Sequence, residues 1–79
     1  MPKIRKTEYS YTVVYEPVNG GFQITVPSLP GLITYGRDFA EAKEMARDAI
    51  RCHLEGLRLD EEKIPTEESL LQERITVTV

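Results

Sequence analysis

Val26-Pro27-Ser28-Leu29-Pro30-Gly31-Leu32-Ile33-Thr34-Tyr35-Gly36-Arg37-Asp38 runs without a spare residue into Phe39-Ala40-Glu41-Ala42-Lys43-Glu44-Met45-Ala46-Arg47-Asp48-Ala49-Ile50, and that junction decides the fold. Pro27 and Pro30 cannot donate to a ladder, so they end the apolar alternation of Phe22, Ile24 and Val26 and turn the chain. Leu32 to Tyr35 suffices for one short strand, and Gly36 admits the backbone geometry needed just before a helix. Asp38 with Glu41 three residues on reads as a capping box with aspartate in the hydroxyl role, both carboxylates also favouring the positive helix end. The helix therefore begins at Asp38.

Beyond the cap, Phe39, Ala42, Ala46, Ala49, Ile50, His53, Leu54 and Leu57 recur at intervals of three and four, while Glu41, Lys43, Glu44, Arg47, Asp48, Arg51 and Glu55 fall mostly on the other side. One face is built to pack on a sheet and the other to meet water. The alanines let the helix axis approach the sheet closely. Gly56 is the expected C-terminal stop.

Working towards the N-terminus, Glu8 to Glu16 alternates Tyr9, Tyr11, Val13 and Tyr15 with Ser10, Thr12, Val14 and Glu16, the period of a strand with one drier face. Asn19-Gly20 supplies positive φ for a tight reversal into Phe22–Val26, giving an antiparallel hairpin. Towards the C-terminus, 59–72 is an acidic connector broken by Pro65, with one helical turn expected from Thr66. Arg74 to Val79 alternates Ile75, Val77 and Val79 with Thr76 and Thr78 and predicts a last strand. The expected architecture is a single small α+β domain over 1–79, an antiparallel β-sheet with one long helix packed on it, in the order β-β-β-α-β. A bare terminal strand is also an open edge, so Ile75, Val77 and Val79 are the candidate edge of a homo-oligomer, a dimer or tetramer.

The chain has 79 residues, 41% of them hydrophobic and 29% charged, which suits one soluble domain with a small core that an oligomer or partner would support. A net charge of −3 argues against nucleic acid as the main ligand and for a basic protein partner. Lys3, Arg5 and Lys6 form a local basic exception that reads as a short solvated tail. Cys52 stands alone and can form no internal disulfide, fitting a reduced cytoplasmic compartment, and no apolar run is long enough for a membrane helix.

Catalytic chemistry finds little to work with. His53 and Cys52 are adjacent on the helix and so point about 100° apart, without the three or four converging groups a metal needs. No metal ligand, cofactor or catalytic residue is expected. The acidic residues bracket strands, cap the helix or crowd the connector, where Glu61, Glu62, Glu67 and Glu68 are the candidate contacts for a basic partner. Tyr9, Tyr11, Tyr15 and Tyr35 could stack bases, but an acidic chain offers no evident basic groove beside them, so packing is the expected role.

The opening Tyr-rich strand, Gly21-Phe22, Val26-Pro27, Leu29-Pro30-Gly31, Thr34-Tyr35-Gly36, Glu41-Ala42, and Ala49-Ile50 followed by Leu54 together resemble the HicB-like antitoxin family over approximately residues 9–58. The resemblance implies a degraded ribonuclease-H-like core that is non-catalytic and that binds and masks a small basic HicA-type mRNA-cleaving toxin. Many members of that family append a helix-turn-helix or ribbon-helix-helix segment that binds an operator. No such DNA-binding domain is read in residues 1–79, so DNA binding is not carried over. Strand one offers Ser10 and Thr12 where a ribonuclease H would want an acidic metal ligand. Two other readings stay open: an orphan homo-oligomer of this family without a toxin, and an RNA-binding module.

Overall fold

The computed structural model describes residues 7–67 and 71–79. Three strands, β1 (Val14–Val18), β2 (Gly21–Thr25) and β3 (Ile33–Gly36), precede one helix, α1 (Phe39–Leu59). The sheet is antiparallel in the order β1-β2-β3, with Val14 opposite Thr25 and Thr25 opposite Ile33 at one end and Phe22 opposite Gly36 at the other. The α+β class and the β-β-β-α order follow the sequence reading.

The helix covers one face of the sheet. Ile24, Ala42 and Ala46 are buried together, with Val13, Tyr15 and Phe22 packed against them. A second cluster, Val26, Leu29 and Leu32, fills the corner made by the two prolines and meets Ile50 and Leu54 of the helix. Phe39 closes the first cluster edge-on to both Tyr15 and Phe22, with ring centroids 5.0 and 5.8 Å apart. The opposite face, carrying Val14, Glu16, Gln23, Ile33 and Tyr35 in register, has no covering layer among the described residues, the usual state of one side of an antiparallel sheet.

Small residues set the distance between helix and sheet. A Cβ on Gly36 would lie 2.5 Å from Ala42 Cα and 2.9 Å from Ala42 Cβ, and one on Gly21 would collide with the Gly36 carbonyl oxygen. Strand ends and helix start therefore meet backbone to backbone. The cap is as expected: Glu41 N donates to Asp38 Oδ1 at 2.8 Å, and Arg37 N donates to Glu41 Oε1 at 2.9 Å. Arg37 Nε completes an ion pair with Glu41 Oε2 at 3.0 Å.

Four expectations are corrected. The first strand begins at Val14, not Glu8, because its register partner Thr25 is the last residue of β2 and the chain turns away at Val26-Pro27, so β2 offers residues 8–13 no ladder partner. In the hairpin loop only Gly20 is left-handed, at φ 89°; Asn19 keeps a negative φ. The helix passes through Gly56 and ends at Leu59. Its stop is a Schellman arrangement in which Glu61, at φ 56°, turns left-handed, Glu62 N donates to Leu57 O at 2.8 Å and Glu61 N to Arg58 O at 3.1 Å. Finally, Arg74–Val79 forms no strand: residues 71–79 are all exposed, and Ile75 and Val77 stand 72% and 76% open to solvent. Where a helical turn from Thr66 is expected, Glu67 lies in 3₁₀ conformation.

Candidate functional site

An open groove of about 660 Å³ lies between the segment leading into β1 and the flank of α1. Tyr9, Tyr11 and Tyr15 form one wall at the alternate spacing of an extended chain, and Ala46, Ile50 and Leu54 form the other at helical spacing. The segment is held in place by the connector. Tyr11 Oη donates to Pro65 O at 2.6 Å, and Thr12 N donates to Glu67 Oε1 at 2.7 Å. Burial, with the charges of Tyr9 and Glu67 adding to it, raises the Tyr11 phenol above its ordinary range.

Along the helical wall the groove is basic. Lys43, Arg47, Arg51 and Arg58 line it, with Glu55 the one acid among them. Arg51 is held by Asp48, Nη2 to Oδ1 at 3.0 Å, and Lys43 Nζ sits 5.6 Å from the Phe39 ring centroid. From sequence, Lys43, Arg47 and Arg51 read as part of an undifferentiated wet face, with no basic groove expected beside the tyrosines; the structure sets them, with Arg58, along the same groove as Tyr9, Tyr11 and Tyr15. The signal was present in the spacing. Positions 43, 47, 51 and 58 fall on one helical stripe, adjoining that of Ala46, Ile50 and Leu54.

The candidate partner contacts divide. Glu61 and Glu62 are exposed just past the helix end. Glu67 is half-buried, its carboxylate occupied by the Thr12 amide, so it acts as a structural clip. Glu68 lies outside the described residues, as do Lys3, Arg5 and Lys6 of the basic tail. Ile75, Val77 and Val79 are exposed together on the C-terminal segment and do not join the sheet.

Cys52 is an exposed free thiol and His53 is half-buried beside it. Among the described residues no group of three or more His, Cys, Asp or Glu side chains is placed to hold a metal ion, and no helix is long and apolar enough to cross a membrane.

Against this geometry the comparisons with known proteins are specific. The family model for the HicB-like antitoxin of bacterial toxin–antitoxin systems matches residues 11–77. Antitoxin HicB 1 of Photorhabdus laumondii is 43% identical over 56 residues, which cover 70% of this chain and 36% of that protein. A 14.9 kDa protein of the rep–hol intergenic region of Haemophilus phage HP1 is 38% identical over 55 residues, covering 70% of this chain and 41% of the phage protein. The UPF0150 protein Ta0767 of Thermoplasma acidophilum is 38% identical over 68 residues, 85% of this chain and 94% of the archaeal one. The chain thus spans well under half of the phage and Photorhabdus relatives and nearly all of the archaeal one.

Proposed function

The chain belongs to the HicB-like antitoxins of bacterial toxin–antitoxin systems, and from that premise we propose that it is a non-catalytic binding protein that masks a small basic mRNA-cleaving toxin of the HicA type. The observation that carries this reading is the family match across residues 11–77, which takes in the sheet, the helix and the clipped connector. The shape is consistent with a binding role. The sheet presents an uncovered face with Ile33 and Tyr35 more than half exposed, and Glu61 and Glu62 stand exposed past the helix end. A net charge of −3 draws a basic partner, and complementary charge accelerates encounter more than it fixes affinity.

The test uses the tagged chain as bait. A small basic protein recovered in stoichiometric amount is assayed for mRNA cleavage alone and with the chain added. Cleavage that this chain abolishes, with association slowed about tenfold or more at low salt by Glu61→Lys with Glu62→Lys, is the expected outcome. A captured protein that cleaves equally well in the chain's presence refutes masking.

A second reading rests on the groove, where three tyrosines face a stripe of lysine and arginine. Aromatic rings beside cations are the elements of single-stranded RNA binding. Salt-dependent binding of a short single-stranded RNA that is lost in Arg47→Glu would favour it; no binding at low salt would remove it.

A further inference from the structure

Asn19 is the sole asparagine of the chain, and it stands directly before Gly20 in the loop that joins Val18 of β1 to Gly21 of β2. Both loop residues are exposed. Among the described residues neither the Asn19 carboxamide nor the Gly20 amide has a hydrogen-bond partner, so no bond pins the peptide unit between them. A Cβ built on Gly20 would meet nothing within 4 Å, and its φ of 89° lies where glycine moves without steric penalty. The side-chain amide and the next backbone nitrogen are therefore free to meet.

We propose that Asn19 is a site of spontaneous covalent modification, converted to aspartate and isoaspartate by attack of its own backbone. The Gly20 nitrogen gives up its proton to solvent and attacks Cγ of Asn19. An N–Cγ bond forms, the Cγ–Nδ2 bond breaks, and Nδ2 departs as ammonia, leaving a cyclic imide. Water then opens the imide in one of two ways. Cleavage of the N–Cγ bond leaves aspartate in an unchanged main chain. Cleavage between the Gly20 nitrogen and the Asn19 carbonyl carbon leaves the main chain running through Cγ, as isoaspartate with one extra backbone carbon. Glycine favours the reaction because it places no side chain over the attacking nitrogen.

The two products act differently on the fold. Aspartate adds one negative charge at an exposed loop to a chain whose net charge is already −3. Isoaspartate lengthens a loop whose length sets the register that places Val18 opposite Gly21. Gly21 abuts the Gly36 carbonyl, and Gly36 abuts Ala42 of the helix, so a displaced loop disturbs the junction of sheet and helix start.

The test holds the whole folded chain in warm, mildly alkaline buffer and follows its intact mass, with mapping of the peptide that contains position 19. The mass gain of an amide-to-acid exchange is expected, with aspartate and isoaspartate both found at position 19. Its rate should lie within about tenfold of that in the urea-unfolded chain, since opening an unbonded loop costs little free energy. Asn19→Gln, which would have to close a larger ring, should gain no mass over the same period. The purified isoaspartate form should melt at least about 4 °C below Asn19→Asp, which carries the charge without the extra carbon. An unchanged mass in the folded chain, a folded rate below that tenfold window, an equal gain in Asn19→Gln, or an isoaspartate form melting with Asn19→Asp would each overturn the proposal.

Discussion

Replacing Gly36 by alanine tests whether the close approach of β3 to the helix start holds the fold together. The new Cβ would stand 2.5 Å from Ala42 Cα and 2.9 Å from Ala42 Cβ, where ordinary contact begins near 3.4 Å. Both atoms belong to the helix backbone or its first side-chain carbon, so no rotamer change relieves the overlap. The helix must withdraw by roughly half to one ångström, loosening Ala42 and Ala46 from Ile24. Overpacking of this kind costs about 1–3 kcal/mol and more where the backbone must move, so we expect a loss of about 2–4 kcal/mol. A domain of this size holds about 4–12 kcal/mol in total. Urea unfolding followed by far-ultraviolet circular dichroism measures it: with a slope of about 1 kcal/mol/M, the midpoint should fall by about 2–4 M, or the protein should be unfolded outright. Gly56→Ala is the matched control, since a Cβ there meets nothing within 4 Å and the residue lies inside the helix; it should gain about 0.5–1 kcal/mol. A Gly36→Ala midpoint within about 0.5 M of the parent would refute the argument, because such a shift is about 0.5 kcal/mol at that slope.

Glu61→Gly should stabilise the protein by about 0.5–1 kcal/mol, since glycine occupies the left-handed stop of the helix without the steric penalty that Glu61 bears at φ 56°; thermal melting should show a rise of about 2–8 °C. Asp38→Ala removes the acceptor for Glu41 N and should cost about 1 kcal/mol by the same melt. Tyr11→Phe deletes the donor to Pro65 O and should cost about 0.5–1.5 kcal/mol at neutral pH. Because the folded Tyr11 phenol is raised above its unfolded value, its contribution is complete below about pH 10 and is lost as pH climbs through the folded pKa. Denaturation midpoints of the parent should therefore fall over that alkaline window by more than those of Tyr11→Phe.

The helix start, the hairpin and the corner were legible because each is fixed by neighbours in sequence. Asp38 and Glu41 are three residues apart and meet wherever a helix begins; Pro27 and Pro30 withhold amides in any context. The candidate site was harder to read. The tyrosines and the helical cations are far apart in the chain, and only packing of α1 against the sheet sets them on opposite walls of one groove. Glu67 shows the same limit: as one of a run of acids it reads as solvated, whereas the fold turns its carboxylate onto the Thr12 amide.

What the sequence determined by itself is therefore local and periodic: three strands, one amphipathic helix, their order, the cap, and the alternation of Ile75, Val77 and Val79. What the tertiary structure decided is extent and company. β1 starts at Val14 because β2 ends opposite it, the helix outruns Gly56 because Glu61 accepts the left-handed turn, and Arg74–Val79 stays exposed outside the sheet despite its strand-like alternation. Periodicity says which face of a segment is apolar; only the arrangement of the other segments says whether anything is there to cover it.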